Sequence, residues 1–334
     1  MSMVRVLRRL AAALMLFVAW PLTAWALEGD TPLNSWLLRV HEASKHRAYT
    51  GTFVVSAGGS LASARIWHVC DGNQQVERVE PLSGIPRATY RRNDQVVTLY
   101  PSSKVAVLET RESLGLFPAL LKSADASIGE FYQFKELGSE RLAGFEADAI
   151  ALIPKDPWRY GYRVWSEKRS GLVLQLQTLD GTGRVIEQSA FSELQLDAPV
   201  KMAQLVQQME NTSGYRVSRP AMRVVTPESL GWSLTVPVPG FRPAGCFNRA
   251  LGAASAESSL SPSVMQWIFT DGLATLSLFV EPFDSRRHLR EGAMDTGGAT
   301  HVFSRKLGDW WATAVGEVPA ATLNAFVIAL ERKK

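Results

Sequence analysis

Short strand patterns separated by glycine turns are the feature that most constrains this chain. The clearest series is three consecutive runs at 158–165, 172–179 and 184–196. Arg169-Ser170-Gly171 separates the first two runs, and Asp180-Gly181-Thr182-Gly183 separates the last two. Closely spaced strands with such turns are typical of antiparallel sheet and not of a βαβ alternation. The pattern predicts a β-rich chain.

The same pattern fills the preceding part of the chain, after one amphipathic helix predicted at 32–45. Gly58-Gly59 predicts a hairpin turn between the first two strands. Two short helices are predicted at 116–122 and 201–210. The remaining strands of this part are predicted at 50–57, 61–70, 74–80, 88–92, 95–100, 131–137, 140–142 and 146–153.

A second, smaller α+β unit is predicted from residue 222 onward. A polar stretch at 211–219 has the composition of a linker, and a helix at 319–330 closes the chain with one apolar face. The segment 284–296 is polar and is predicted to be irregular. The strands of this unit are predicted at 232–236, 241–251, 264–270, 273–280, 300–306 and 310–316. A length of 334 residues is also long for a single core, which favours two domains.

The first 26 residues have the pattern of a secretory signal peptide. Three arginines precede an uncharged apolar run, and the small residues Ala24 and Ala26 occupy the A-x-A positions before the predicted cleavage site. The alternative is a membrane anchor, but the apolar core is shorter than the roughly 20 residues that a spanning helix needs. We therefore expect cleavage after Ala26 and export of a soluble chain.

The charge balance argues against nucleic acid as a partner. Residues 1–26 hold three of the 36 basic residues and none of the 32 acidic ones, so the remainder is nearly neutral. No dense run of lysine and arginine with interleaved aromatics occurs, and such a run is the usual footprint of nucleic-acid binding.

Sequence motifs of catalysis and metal binding are absent. The chain has no G-x-S-x-G, H-E-x-x-H or phosphate-binding loop, which favours a protein that is not an enzyme and predicts neither cofactor nor metal. Cys70 and Cys246 do not form a C-x-x-C pair. Either a disulfide between them or two separate thiols is compatible with the sequence.

The run 158–165 carries the most unusual side chains. Strand alternation would place Trp158, Tyr160 and Tyr162 on one face and both Arg159 and Arg163 on the other. Such rings could line a concave site for an acyl chain, with the arginines holding phosphate groups. The alternative is that the rings are core and the arginines are solvated. Periodicity alone favours the core interpretation.

Three stretches of this sequence together resemble the RseB/MucB family, the periplasmic regulators of an envelope-stress sigma factor. The stretches are Trp36-Leu37-Leu38-Arg39 with Tyr49-Thr50-Gly51-Thr52-Phe53-Val54; Arg159-Tyr160-Gly161-Tyr162-Arg163-Val164-Trp165 with Ser170-Gly171-Leu172; and Pro239-Gly240-Phe241, Asp271-Gly272-Leu273-Ala274, Phe279-Val280-Glu281 and Gly316-Glu317-Val318-Pro319.

The resemblance implies a fold and a function. The implied fold is an N-terminal domain like LolA and LolB, a curved, unclosed antiparallel β-barrel with helices, at 27–210. A linker at 211–221 and an α+β domain at 222–334 follow. The implied function is negative regulation of a sigma-E type response: the protein binds the periplasmic part of a transmembrane anti-sigma factor and shields it from proteolysis. Lipopolysaccharide or another phosphorylated lipid would release it.

Site residues are predicted on this basis. We expect Trp158, Tyr160 and Tyr162, with Arg159 and Arg163, to bind lipid in the N-terminal domain. In the C-terminal domain we expect the partner to contact Phe279 and Glu281, which share a strand face, and Trp310. A lipid or lipoprotein carrier of the LolA type is the main alternative function, and a periplasmic hydrolase is a further one. Homo-oligomerisation stays open.

Overall fold

A twelve-stranded sheet is built from the first two-thirds of the chain. The computed structural model describes residues 32–111, 117, 118, 121, 127–250 and 263–333. The strand order is β12-β6-β5-β4-β3-β2-β1-β11-β10-β9-β8-β7. The strands are β1 (Tyr49–Ala57), β2 (Ser60–Cys70), β3 (Gln75–Pro81), β4 (Ala88–Arg92), β5 (Gln95–Tyr100), β6 (Val105–Thr110), β7 (Tyr132–Leu142), β8 (Phe145–Pro154), β9 (Gly161–Glu167), β10 (Val173–Leu179), β11 (Val185–Leu196) and β12 (Arg216–Ser218).

Three helices accompany this sheet: α1 (Pro32–His46), α2 (Ile128–Phe131) and α3 (Met202–Glu210). Within the described residues the end strands β7 and β12 do not pair, so the sheet is unclosed. The predicted β-rich class is therefore confirmed. The predicted signal peptide, and most of the helix predicted at 116–122, lie outside the described residues.

Three elements in or beside the first sheet differ from the sequence prediction. Strand β6 and helix α2 were not predicted, and β7 is one strand where two were expected. The interruption at Gly138 is a bulge, because the register against β8 shifts between Glu136 and Gly138. Gly138 has a φ of 103°, which a residue with a side chain rarely adopts, so the extra residue is absorbed without ending the strand.

The second sheet has seven strands, in the order β13-β15-β16-β17-β20-β19-β18. Its strands are β13 (Met222–Val224), β15 (Arg242–Ala250), β16 (Ser263–Thr270), β17 (Thr275–Pro282), β18 (Gly292–Asp295), β19 (His301–Leu307) and β20 (Trp310–Gly316). The expectation of an irregular segment at 284–296 was wrong at its end, where the short edge strand β18 pairs with β19. An edge strand has one solvated side, so its polar composition hid it.

One helix and a two-stranded ribbon complete this part. Helix α4 (Ala320–Ala329) buries Leu323, Phe326 and Val327 against the sheet. The ribbon pairs β14 (Trp232–Leu234) with β21 (Leu330–Arg332), and a single 3-10 turn spans Glu228–Leu230. Among the described residues no helix is both long and apolar enough to cross a membrane.

The interior of the first sheet is packed by its own side chains. Helix α1 buries Leu33, Trp36, Leu37 and Val40, because these residues recur at helical spacing. They form one cluster with residues of β7 to β10, including Tyr162. The core interpretation of the Tyr162 ring is therefore the one that the structure shows.

The segment predicted as a linker at 211–221 is partly ordered in the first sheet. Strand β12 runs parallel to β6, and the Arg216 amide donates to the Lys104 carbonyl over 2.7 Å. Only residues 219–221 separate β12 from β13 of the second sheet. Contacts between the two sheets make Pro32–Lys334 a single compact unit.

A buried histidine makes the stability of the first sheet sensitive to acid. The Nδ1 atom of His68 lies 2.7 Å from the Arg47 carbonyl, the side chain is fully buried, and its ring stacks on Tyr49 at 4.9 Å. Burial lowers the pKa of His68 below 6.5. The positive charge of Arg91 adds to this lowering, whereas the Glu77 carboxylate opposes it. The folded state therefore holds the neutral ring.

We predict that the free energy of unfolding falls as the pH drops below 6.5, because the unfolded chain then takes up a proton that folded His68 resists. One such group contributes at most about 1.4 kcal/mol per pH unit. Urea unfolding at pH 7 and pH 5 measures the slope, and His68→Asn should make it shallower. The exposed His46, replaced in the same way, is the control. An identical slope in the wild type and in His68→Asn would refute the assignment.

Candidate functional site

A fully buried ion pair joins the two sheets. The Arg159 Nη1 atom lies 3.0 Å from Asp271 Oδ2, and neither side chain has any exposed surface. Arg159 lies two residues before the start of β9 of the first sheet, whereas Asp271 begins the tight turn between β16 and β17 of the second. The two residues are 112 positions apart in the chain. This pair is the centre of the contact between the domains.

The remaining groups of Arg159 are also occupied. Its Nε donates to Asp156 Oδ1 over 3.0 Å, and its Nη2 donates to the Pro239 carbonyl over 2.7 Å. The guanidinium lies 4.5 Å from the ring centre of Phe131 and 5.2 Å from that of Phe241, within the range of cation–π attraction. Arg159 is therefore held by both domains at once.

Asp271 is held as firmly as its partner. Its Oδ1 accepts hydrogen bonds from the amides of Leu273 and Ala274, at 2.9 and 2.7 Å, so the turn itself fixes the carboxylate. Its Oδ2 accepts from the Tyr132 hydroxyl at 2.9 Å. Burial raises the pKa of Asp271, while these hydrogen bonds and the Arg159 charge oppose the rise. Burial likewise raises the pKa of Tyr132, so its hydroxyl stays protonated and donates.

Gly240 is required by the close approach of the two domains. A Cβ atom there would lie 2.7 Å from Arg159 Nη2 and 2.8 Å from the Phe131 ring, and its φ of 81° also disfavours a side chain. The motifs that carried the family resemblance, Arg159, the Pro239-Gly240-Phe241 run and the Asp271 turn, thus meet at one point. The sequence analysis did not predict this contact, although it singled out the motifs that form it.

Further contacts extend from this centre. The Tyr160 hydroxyl lies 3.2 Å from His301 Nδ1, and the Thr322 hydroxyl donates to the Trp158 carbonyl over 2.8 Å. An open cleft of about 680 Å³ lies beside them. The cleft is lined by residues of both sheets: Ser56, Ala57, Gly58, Gly59, Tyr160, Asp180, Arg184, Val185, Ile186, Glu187, Gln188, Gly297, Gly298 and His301.

The predicted single face of Trp158, Tyr160 and Tyr162 was wrong. Strand β9 begins only at Gly161, so strict alternation does not extend back to the first two rings. Trp158 packs against the core of the second domain, Tyr160 faces His301, and Tyr162 lies inside the first domain. The three rings therefore have three different environments.

The predicted arginines also separate. Arg159 is enclosed in the domain contact, whereas Arg163 lies within β9, opposite Gln177 of β10, and is partly exposed. Arg159 is therefore not solvated, because the Asp271 carboxylate occupies the place that an external anion would take. The role of all five residues in lipid binding stays a prediction.

The predicted partner residues fall on two faces of the second sheet. Phe279 and Glu281 share one face of β17, opposite the buried Leu278 and Val280, as expected. Trp310 pairs with Pro282 and packs on the buried side. Since a shift of one residue changes the face, its neighbour Trp311, paired with Glu281, shares the face of Phe279 instead.

An arginine lies close to each of these residues, and beside Trp310 it is Arg332, whose guanidinium lies 4.4 Å from the ring centre. The Arg249 guanidinium lies 5.0 Å from the Phe279 ring, and Glu281 accepts a hydrogen bond from Arg287 at 2.9 Å. On the other side of the sheet, Trp310 packs edge-on to Trp232 at 5.7 Å.

The two cysteines are separate thiols. Cys70 is partly exposed and Cys246 is buried. Burial raises the pKa of Cys246 to about 11, so this thiol stays protonated. Within the described part of the chain, no group of three His, Cys, Asp or Glu side chains is placed to hold a metal ion.

These observations define a two-domain, β-rich protein whose domains meet around a buried ion pair. Comparison with protein families agrees with this division: the model of the MucB/RseB N-terminal domain matches residues 32–209, and that of the MucB/RseB C-terminal domain matches residues 226–331. The chain belongs to the MucB/RseB family, and the resemblance noted from the sequence is confirmed.

Individual relatives are similar over nearly the whole chain. The sigma factor AlgU regulatory protein MucB of Pseudomonas aeruginosa is 26% identical over 309 residues, which cover 89% of this chain and 90% of the relative. The sigma-E factor regulatory protein RseB of Haemophilus influenzae is 24% identical over 291 residues, which cover 86% and 88%. The crystal structure of MucB in complex with MucA(peri) has 26% identity and a TM-score of 0.65, covering 90% of this chain and 99% of that one.

We predict that Asp271→Ala lowers the free energy of unfolding by about 3–5 kcal/mol, because it leaves the Arg159 charge buried without a partner. Urea unfolding followed by tryptophan fluorescence measures the change. Replacing both partners, as Arg159→Met with Asp271→Leu, should cost less than Asp271→Ala alone. Arg286→Ala, which removes an exposed ion pair, is the control and should change stability by less than about 1 kcal/mol. An Asp271→Ala loss as small as the control would contradict the assignment.

Proposed function

We propose that this protein is a negative regulator of an extracytoplasmic sigma factor of the sigma-E type and acts by binding the periplasmic part of a transmembrane anti-sigma factor. The observation that carries the proposal is the match to both family domains over 32–209 and 226–331. Relatives similar over nearly their full length are named as sigma factor regulatory proteins. One similar protein, MucB, has been crystallised with MucA(peri). The protein would act as a binding protein and not as an enzyme.

The proposed place of action is the periplasm. The signal-peptide pattern at residues 1–26 supports export. MucB, which is similar to this chain, was crystallised with MucA(peri). A partner of that kind would be available to a protein in the periplasm. Bound there, the protein would cover its partner and deny a protease access to the chain.

The face of β17 that carries Phe279 and Glu281 is the proposed contact for the anti-sigma factor. Phe279 is a partly exposed ring on a rigid strand, which suits it to anchor a polypeptide. Trp310 lies on the opposite side of the sheet, so any contact with it would require a second segment of the partner.

Release by a lipid, with lipopolysaccharide as the model, is the second part of the proposal. The residues predicted to bind lipid lie largely within the domain contact, so an acyl chain reaches them only when the domains separate. A lipid phosphate would then replace the Asp271 carboxylate at Arg159. The lipid and the partner would favour different domain arrangements, and their coupling would be reciprocal.

We expect the periplasmic segment of the organism's own anti-sigma factor to bind with a Kd in about the micromolar range or below. Phe279→Ala should weaken binding by about tenfold or more, as for an anchoring aromatic residue. Isothermal titration calorimetry measures the affinities, and Ile328→Ala, at an exposed position on α4, is the matched control. The absence of binding by the wild-type protein would overturn the proposed function.

For the lipid, we expect lipopolysaccharide to weaken binding of the same segment by about 5- to 150-fold. Tyr160→Ala should reduce this effect, because it removes a ring that the separated domains would offer to the lipid. The titration is repeated with and without lipopolysaccharide, and circular dichroism checks the fold of the variant. Equal affinities in the two wild-type titrations would exclude lipid-driven release while leaving the binding function intact.

A further inference from the structure

One end of the first sheet exposes three large apolar side chains, here called the apolar tip: Leu61, Leu82 and Ile85. They are exposed by 71%, 56% and 69%, respectively, whereas the other apolar residues of β2 and β3 are mostly covered. Exposed apolar side chains are ordinary when scattered singly, but a cluster marks an interaction surface.

Strand pairing places these residues together. Strands β2 and β3 are antiparallel, and the Leu82 amide donates to the Ser63 carbonyl over 2.8 Å. Ser63 and Leu61 lie two residues apart on one strand and therefore share a face. Leu82 is thus a diagonal neighbour of Leu61. Ile85 follows in the same loop, 82–87, before β4 begins.

Basic residues surround the apolar tip. Arg65 lies on the same face of β2 as Leu61, Arg87 ends the loop that carries Ile85, and Lys104 lies in the loop between β5 and β6 at the same end of the sheet. All three side chains are exposed. Two carboxylates near this end are paired with arginines: Glu80 bonds with Arg78, and Asp180 lies 2.8 Å from Arg184.

The opposite end of the sheet carries exposed charges of both signs in its turns, among them Asp71, Asp94, Lys168 and Arg169. The apolar tip differs from it by combining exposed apolar side chains with exposed basic residues. A surface that is negatively charged outside and apolar inside complements this combination in both respects.

We propose that the apolar tip docks on the surface of an anionic phospholipid bilayer. Leu61, Leu82 and Ile85 would enter the boundary between headgroups and acyl chains, while Arg65, Arg87 and Lys104 contact phosphates. The side chains stand at strand ends and in a loop, so they can enter a soft bilayer without the matching hollow that a folded protein partner would need.

Docking in this way also orients the molecule. The turn Gly58-Gly59 lies at the same end as the apolar tip and lines the 680 Å³ cleft between the sheets. The cleft would then open close to the membrane surface. This inference rests on the chemistry of the tip and does not depend on the proposed regulatory function.

The test uses the full mature chain and co-sedimentation with vesicles. We expect binding to vesicles of phosphatidylglycerol and phosphatidylethanolamine, little binding to pure phosphatidylcholine, and weakening by salt. Leu61→Ser combined with Ile85→Ser should reduce binding by at least about tenfold, since two apolar anchors are lost. Arg87→Gln should reduce it by about fivefold, the effect of one basic residue near an anionic surface.

Matched controls lie elsewhere on the surface. Val224→Ser changes an apolar residue that is 82% exposed in the second domain, and Arg141→Gln removes a basic residue from the edge strand β7. Neither should alter vesicle binding. Equal binding by wild type and tip variants, binding to phosphatidylcholine as strong as to phosphatidylglycerol, or capture of lipopolysaccharide alone would each overturn the inference. Titration of the tip variants with the anti-sigma segment separates this outcome from failure of the proposed function.

Discussion

The ion pair between Arg159 and Asp271 is the contact on which the arrangement of the two domains depends. Removing both charges from water costs several kcal/mol per ion, and mutual attraction alone seldom offsets that cost. Here the remaining groups are also satisfied: Tyr132, the Pro239 carbonyl and two turn amides complete the hydrogen bonds. Such a pair specifies geometry more than it adds stability, because a shift of either domain would leave a buried charge unpaired. The contact is therefore expected to be either fully formed or fully broken, and not to tolerate small shifts between the domains.

The contact between the domains gives the residues that carry the family resemblance a different role from the one predicted. Read along the sequence, Arg159 and its aromatic neighbours suggest an open site for a lipid. In the folded chain the same residues bind the second domain, and Gly240 is bare because the guanidinium and a phenyl ring approach it. A ligand for these groups must compete with a protein surface that already satisfies them. Competition of this kind would provide a physical basis for the proposed coupling between lipid and partner.

The local sequence pattern was sufficient to predict much of the fold. It could not predict which residues far apart in the chain contact one another. Glycine turns such as Gly58-Gly59 and the period of two placed most of the strands, because these signals act over a few residues, but they missed β6 and the short strands β12, β13, β18 and β21. The pattern could not show that β9 starts at Gly161 or that Asp271 would be the partner of Arg159, 112 residues away. Trp310 and Trp311 are equally aromatic in sequence, and only the register against β17 decides which one shares the sheet face of Phe279. The class of fold was thus predictable, while the candidate site depended on contacts between domains.

Strand β12 lies at the edge of the first sheet far from β9, so the second domain is attached to the first in two ways. One is the non-covalent contact around Arg159 and Asp271, which also includes the Tyr160–His301 and Thr322–Trp158 hydrogen bonds. The other is the covalent linker of residues 219–221, which spans at most about 14 Å when extended. If the non-covalent contact opened, the linker would keep the second domain near the first at a high effective concentration. Rebinding of the two domains would then be fast and independent of protein concentration, so the closed arrangement would return once a ligand dissociates.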